Sequence, residues 1–425
     1  MTAITADRAL TRGDAKTLAL ASLGGALEFY DFIIYVFFAV VIGKLFFPPD
    51  MPVWLQLLQT YGIFAAGYLA RPLGGIIMAH FGDKTGRKRM FTLSIFMMAV
   101  PTLLIGAMPT YATIGYAAPI LLLIMRLFQG AAIGGEAPGA WVFVAEHVSD
   151  KRVGLACGLL TGGLTGGILL GSLMATAINA IYTPEEIAGF AWRIPFLIGG
   201  VFGFVAMYLR RWLHETPVFE ALRARKALAA DMPVKQVLRD HKPGVVISML
   251  VTWMLTAAVV VVILSTPALM QQIHKVPALT TLIGSVAATL GITVAAILVG
   301  MLLDRFGALK VTLAGAPLLI LTTYGLYIGT ATHPENLITL YALAGTAAGI
   351  ITVVPYVMVR SFPGTVRFTG VSFSYNVAYA IFGGLTPVAV SALVKFNNLG
   401  PAHYVAFSTV IGLSAVVWFA NQKKN

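Results

Sequence analysis

The stretch SLGGALEFYDFIIYVFF, from Ser22 to Phe38, decides how the chain is read. It lies in an apolar run from Leu18 to Phe47 that is long enough to cross a bilayer, yet it carries two carboxylates, Glu28 and Asp31. An acid at that depth faces protein or a water-filled cavity and needs a partner. At helical spacing Glu28, Asp31 and Tyr35 share one face, and Arg71 and Arg126 are the basic residues at comparable depth. The expectation is an Asp31/Arg126 pair, with Glu28 beside it, working as a proton switch.

Composition agrees with a membrane setting. The 425 residues are 58% hydrophobic and 11% charged, with a mean hydropathy of +0.85, whereas a soluble domain is about 25% charged. The net charge of +12 does not point to nucleic acid, because the basic residues collect in short loops as topology signals do. The single cysteine, Cys157, excludes an intrachain disulfide and sits in an apolar, glycine-rich run that suits a buried thiol. The first sixteen residues are too polar for a signal-peptide core, so the first span is expected to be retained.

Apolar runs of about 20 residues, broken at charges and Gly/Pro clusters, give twelve candidate helices. Six start near Leu18, Trp54, Met90, Ala112, Val153 and Ala191, and six near Pro243, Ala278, Leu309, Glu335, Thr365 and Ala402. Most lysines and arginines fall on the side of the two termini, and only Lys44, Arg193, Lys275 and Lys395 lie near the other, so both termini are expected in the cytoplasm. The one long polar segment divides the chain into a bundle at 1–212, a linker at 213–242 and a second bundle at 243–425. In the linker Val218, Phe219, Leu222 and Leu228 form the apolar side of an expected surface helix. A weak repeat supports two halves: FGDKTGRKR after the second span and LLDRFGALK after the eighth both place Asp, a base and Gly at a turn, as Asp83, Lys84, Gly86 and Asp304, Arg305, Gly307. Such halves put a substrate site between them near mid-membrane.

The twelve-span pattern with GDKTGRKR resembles the major facilitator superfamily. ARPLGG (Ala70 to Gly75), RLFQGAAIGGE (Arg126 to Glu136), WRIPF (Trp192 to Phe196) and ETPVF (Glu215 to Phe219) are similar to its metabolite:proton symporter branch. IFGGLTP, Ile381 to Pro387, is like the citrate carriers of that branch. The resemblance implies an all-α membrane protein of twelve transmembrane helices in two six-helix bundles, working by alternating access and not as an enzyme. It also resembles, over SLGGALEFYD, the first helix of the sugar:proton branch, which implies that Asp31 works with Arg126 as the proton carrier. The turn after the second span is expected to act as a latch through Asp83 and Arg87, with Glu146 as a partner; Asp304 and Arg305 form a weaker second copy. The glycines between Gly158 and Ser172 recur at four-residue spacing, as in Gly163, Gly167 and Gly171, and are expected to let helices pack closely; in the superfamily that the chain resembles such faces slide against the opposite half.

Substrate contacts are expected from Arg71, Arg126 and Tyr35 in the first half and from Tyr356, Asn376 and Tyr379 in the second, which has no charge at mid-membrane. Arg360 stands where relatives commonly have glutamate. The seven histidines show no metal-ligand spacing and there is no phosphate-binding loop, so no metal and no cofactor are expected. The reading is a bacterial-type inner-membrane importer, expected to work as a monomer, that couples proton entry to uptake of a small carboxylate. A proton-driven exporter or exchanger, a proline or betaine symporter, and a nontransporting receptor are the alternatives. The lack of a long heptad tail before Asn425 argues against the osmolyte carrier.

Overall fold

The computed structural model describes residues 12–85, 87–210, 233–364 and 366–422. Among these, twelve helices follow the order read from the sequence. In the first half they are α1 (Arg12–Phe37, continued by Ala39–Phe46), α2 (Val53–Thr85), α3 (Arg87–Ala107), α4 (Ala117–His147), α5 (Val153–Ile181) and α6 (Arg193–Arg210). In the second half they are α7 (Lys242–His274), α8 (278–306), α9 (308–332), α10 (Pro334–Arg360), α11 (Arg367–Phe396) and α12 (Gly400–Gln422). The expected starts hold to within about six residues, because charges and prolines mark where an apolar helix leaves the bilayer. The expected linker helix falls outside the described residues.

The helical run Ala278–Thr332 spans 55 residues, far more than a bilayer needs, and it breaks at Gly307, where φ is 78°. Only glycine adopts that conformation without strain. The two pieces then run back to back along α10: Gly284 and Gly291 of α8 meet Tyr341 and Thr346, while Gly315 and Gly329 of α9 meet Ile350 and Leu340. The repeat Asp-base-x-Gly thus marks a reversal of the chain.

Close approach between helices rests on small residues. A Cβ on Gly130 would collide with the carbonyl of Gly67, and one on Gly134 with that of Arg71, so α2 and α4 touch backbone to backbone. Contact this close gains dispersion energy that bulkier side chains would forfeit. The glycines of α5 serve two faces. Gly163, Gly167 and Gly171 rest on Ser22, Ala26 and Phe37 of α1, within their own half, so they serve the close packing that is expected of them and are not the sliding face that the resemblance implies. Gly154, Gly158 and Gly162 are the face that meets Gly300, Ala296 and Ile297 of α8. The two stripes alternate along one helix, and spacing alone does not say which one lies on the seam. Hydroxyls on α5 and α8 continue that seam, with Ser172 to Thr289 and Thr293 to Thr165 each at 3.1 Å.

Two helices of the second half widen at their centres. A π-helical stretch, Ala257–Ser265, interrupts α7, and another, Tyr379–Gly383, interrupts α11. Carbonyls in the first are caught by side chains, Ile263 by the Tyr341 hydroxyl at 2.6 Å and Val261 by Thr266 at 2.9 Å. Such relief is required where lipid offers no donor. Gly130→Val is expected to cost about 1–3 kcal/mol or more through overpacking at α2/α4, read as a lowered thermal midpoint of the purified carrier in detergent.

Candidate functional site

Arg126 is fully buried on α4, and its guanidinium lies among the rings of Phe32, Tyr35 and Phe64 at 4.2, 4.6 and 5.2 Å. Its Nη1 donates to the Phe32 carbonyl at 3.0 Å and to Gln129 Oε1 at 2.8 Å. Nε and Nη2 have no hydrogen-bond partner among the described residues. Tyr35 contributes its ring and not its hydroxyl, which donates to the Thr60 carbonyl at 3.0 Å.

Arg71, equally buried, repeats the arrangement at the seam between the halves. Tyr68 of α2 and Tyr375 and Tyr379 of α11 surround its guanidinium at 5.5, 5.2 and 4.3 Å. Its Nε and Nη2 are likewise without a partner. Tyr68 links the two cages, standing 5.3 Å from Phe32 and 5.3 Å from Tyr379. The indole of Trp141 packs edge-on against Tyr375 at 5.0 Å, with its N–H unpartnered. Buried donors left open cost about 1–3 kcal/mol each, more when charged, unless a ligand takes them. Two guanidiniums with open donors among aromatic rings have the charge and the free donors to take an anionic group.

The other expected contacts divide. Tyr379 is a wall of the Arg71 cage. Asn376 is committed to holding the halves together, its Nδ2 donating to the Gly134 carbonyl and to Ser372 Oγ, and only its Oδ1 is open. Tyr356 belongs elsewhere: it lies 4.6 Å from the Arg360 guanidinium near the end of α10. Helical phase places it on a face turned towards α5, which the spacing of polar residues did not reveal.

Asp31 is fully buried, but the expected ion pair with Arg126 is not formed: no bridge within 4.0 Å joins them. The carboxylate turns instead into a notch between α3 and α6, where a Cβ on Gly199 would lie 2.6 Å from Oδ1 and one on Gly203 3.2 Å from Oδ2. Neither oxygen has a hydrogen-bond partner among the described residues. Its neighbour Phe32 gives its carbonyl to Arg126, and the remaining link runs through Gln129, whose Nε2 donates to Thr102 Oγ1 at 2.8 Å. Gln129 and Thr102 escaped the sequence reading because neither is charged, although Gln129 stands one turn after Arg126. Glu28, one turn before Asp31, is also buried.

The side of the seam that bears the termini is closed by bonds between halves. Asp304 accepts from the backbone N–H groups of Gly154 and Leu155 at 2.6 and 2.8 Å, capping the start of α5. This second copy of the latch is engaged, contrary to its expected weakness, because the acid alone makes the cap and Lys310, the one base after Gly307 in this turn, takes no part. Arg305 is exposed and lies over Phe306 at 5.2 Å, so among the described residues it contributes nothing to the seam. Glu146 pairs with Arg367 at 3.2 Å, and Arg360 donates to the Asp150 carbonyl at 2.6 Å. The side chains of Asp83 and Arg87 lie outside the described residues. At the opposite side a cavity of about 250 Å³ opens between the halves, with Val40 and Tyr61 on one wall and Ser265, Gln272 and Ser391 on the other.

A twelve-helix bundle pair, closed at one face and enclosing a charged centre, defines a secondary carrier. Residues 22–387 match the family model of the Major Facilitator Superfamily. A putative proline/betaine transporter of Staphylococcus aureus is 32% identical over 410 residues, covering 95% of this chain and 87% of that protein. The citrate-proton symporter of Klebsiella pneumoniae is 31% identical over 423 residues, with 96% and 93% covered. The proline/betaine transporter of Salmonella typhimurium is 32% identical over 416 residues, with 94% and 82% covered. Among solved structures, a D-xylose-proton symporter superposes with a TM-score of 0.73 at 15% identity, covering 95% of this chain and 97% of that one. The chain belongs to the Major Facilitator Superfamily, in the metabolite:proton symporter branch that its motifs resemble. It is a multi-pass membrane transporter.

Asp304→Ala removes the cap on α5 and is expected to raise the maleimide labelling rate of the buried Cys157, which lies beside that cap, by about tenfold, a shift of about 1.4 kcal/mol in the closed state.

Proposed function

We propose that the chain is a proton-coupled importer of the inner membrane, taking up a small carboxylate-bearing solute by alternating access. The observation that carries this is the pair of buried arginines, each with two unpartnered donor atoms, behind the cavity on the side away from the termini. A guanidinium fork matches a carboxylate in shape and charge. With the termini in the cytoplasm, the orientation expected from the basic loops, that cavity is the outer entrance and the bonded face is the closed inner gate. The engaged Asp304 and the Glu146/Arg367 pair support an outward-facing or occluded state.

Asp31 is the proton carrier in this reading. An anion in a notch without donors is costly, so the arrangement suits the neutral acid, and a proton carried inward gains about 2.3 kcal/mol per 100 mV of membrane potential. Substrate on Arg126 and proton on Asp31 then travel together. Glu28 stands one turn away as a secondary acid.

A carboxylate is common to citrate, proline and betaine, the solutes named for the relatives. The tricarboxylate reading draws on the two arginines. The zwitterion reading draws on Tyr68, Tyr375 and Tyr379, whose faces also suit a substituted ammonium. Relatives named as proline/betaine transporters match over nearly the whole of this chain, so a zwitterionic osmolyte stands beside the other carboxylates as a candidate solute.

A thermal-shift screen across mono-, di- and tricarboxylates, proline, betaine and shikimate at two pH values is expected to show stabilisation by a carboxylate, larger at the lower pH. Stabilisation by none of these solutes, each of which carries a carboxylate, would reject the reading. Arg126→Gln and Arg71→Gln are each expected to weaken binding of the stabilising solute about tenfold or more, the worth of one charged hydrogen bond. Asp31→Asn is expected to abolish accumulation driven by a proton gradient while leaving exchange, measured in proteoliposomes.

A further inference from the structure

We propose that Gln129 and Thr102 are the positioning residues through which a substrate on Arg126 governs the protonation of Asp31; the proposal rests on the carboxylate-symport reading above. The polarity of the chain is fixed by its members. Arginine can only donate, so Gln129 presents Oε1 to Arg126 Nη1 at 2.8 Å and must donate from Nε2 to Thr102 Oγ1, also at 2.8 Å. The threonine hydroxyl passes its own hydrogen to the Met98 carbonyl at 2.8 Å. All three side chains are fully buried, so none can exchange its partner for bulk water.

The far end of this chain borders the acid. A Cβ on Gly199 would touch Asp31 Oδ1 at 2.6 Å and Thr102 Cγ2 at 3.0 Å, so the carboxyl and the threonine methyl share one notch. Rotation about χ1 of Thr102 exchanges methyl for hydroxyl, and helical threonine occupies two such rotamers readily. While Arg126 holds Gln129, the amide holds the hydroxyl away from Asp31. When a carboxylate draws the guanidinium off, Gln129 loses its charged donor and the amide releases Thr102; the hydroxyl, its own hydrogen still given to a carbonyl of the preceding turn, then turns its oxygen to accept a hydrogen bond from the O–H of the neutral acid. Substrate binding thereby favours the protonated carrier, which is the sign that symport needs. No covalent bond changes.

The ionisable groups facing Asp31 are Tyr30 on its own helix, whose hydroxyl donates to the Pro195 carbonyl at 2.9 Å, Glu28 one turn earlier, and Arg126 on α4 through Gln129. The described parts of α3, α5 and α6 bring none to that level. Arg193 and Tyr208 lie near the two ends of α6, and Cys157 near the start of α5.

The test uses the full chain in proteoliposomes with radiolabelled citrate, proline and betaine. Gln129→Leu and Thr102→Val are expected to keep counterflow at equal pH within about threefold of wild type, while accumulation driven by a pH gradient falls by about tenfold, the worth of a hydrogen bond to a charged group, and its pH profile flattens. Thr102→Ser, which keeps the hydroxyl, is expected to restore both. Wild-type accumulation and pH profile in Gln129→Leu or Thr102→Val would overturn the proposal, as would a serine variant as uncoupled as the valine one. Should Gln129→Leu lose exchange altogether, the contrast of valine with serine at Thr102 decides. Wild-type exchange of none of the three solutes would overturn the carboxylate reading, and this proposal with it, whereas failure of the variants to uncouple a working carrier overturns this proposal alone.

Discussion

Two guanidinium groups kept out of water with part of their donors unused set the terms for the rest of this molecule. A bare cation at mid-membrane is among the least tolerable arrangements a bilayer protein can hold. Here each is tolerated because aromatic faces surround it, three around Arg126 and three around Arg71. A ring satisfies the charge without satisfying the N–H groups, so the cages stabilise the arginines and leave their hydrogen-bonding capacity for a ligand. The glycines on α2 and α4 follow from the same requirement: only helices in backbone contact hold two such side chains in so little space.

The two ends of the seam are built differently. At the face of the termini the closures are directional and polar, with Asp304 on the first N–H groups of α5, Arg367 on Glu146, and Arg360 on a carbonyl. From beneath those closures inward the contact is glycine against glycine, from Gly154 and Gly158 to Gly300. Polar caps give discrete bonded states, whereas a small-residue seam resists little when one half tilts on the other. The chain thus combines a bearing with a clasp.

Much of this was legible in the chain itself. Span number, span order and the reversal at Gly307 followed from apolar length and from glycine's tolerance of positive φ. Burial of Glu28, Asp31, Arg71 and Arg126 followed from their position inside apolar runs. Pairing did not follow. Asp31 and Arg126 look like natural partners by charge and depth, but a helix of 3.6 residues per turn aims residue 31 at α6 while residue 32 gives its carbonyl to the arginine. The neutral intermediaries, Gln129 and Thr102, carry no charge to announce them, and Tyr356 and Tyr379 could be told apart only once the phase of α10 and α11 was known. The stripes of glycine on α5 were visible, but their assignment to one neighbour or the other depends on long-range packing.

The cage around Arg71 draws its rings from both halves, Tyr68 from one and Tyr375 and Tyr379 from the other. Parting the halves at the inner face therefore takes two of the three rings from the cation in a single movement. With nothing bound, that step strips a charge of its shelter; with an anion bound, the charge is already matched. Slippage, the wasteful cycling of an unloaded carrier that would dissipate the membrane's ion gradient, is then opposed by the same residues that we propose hold the cargo.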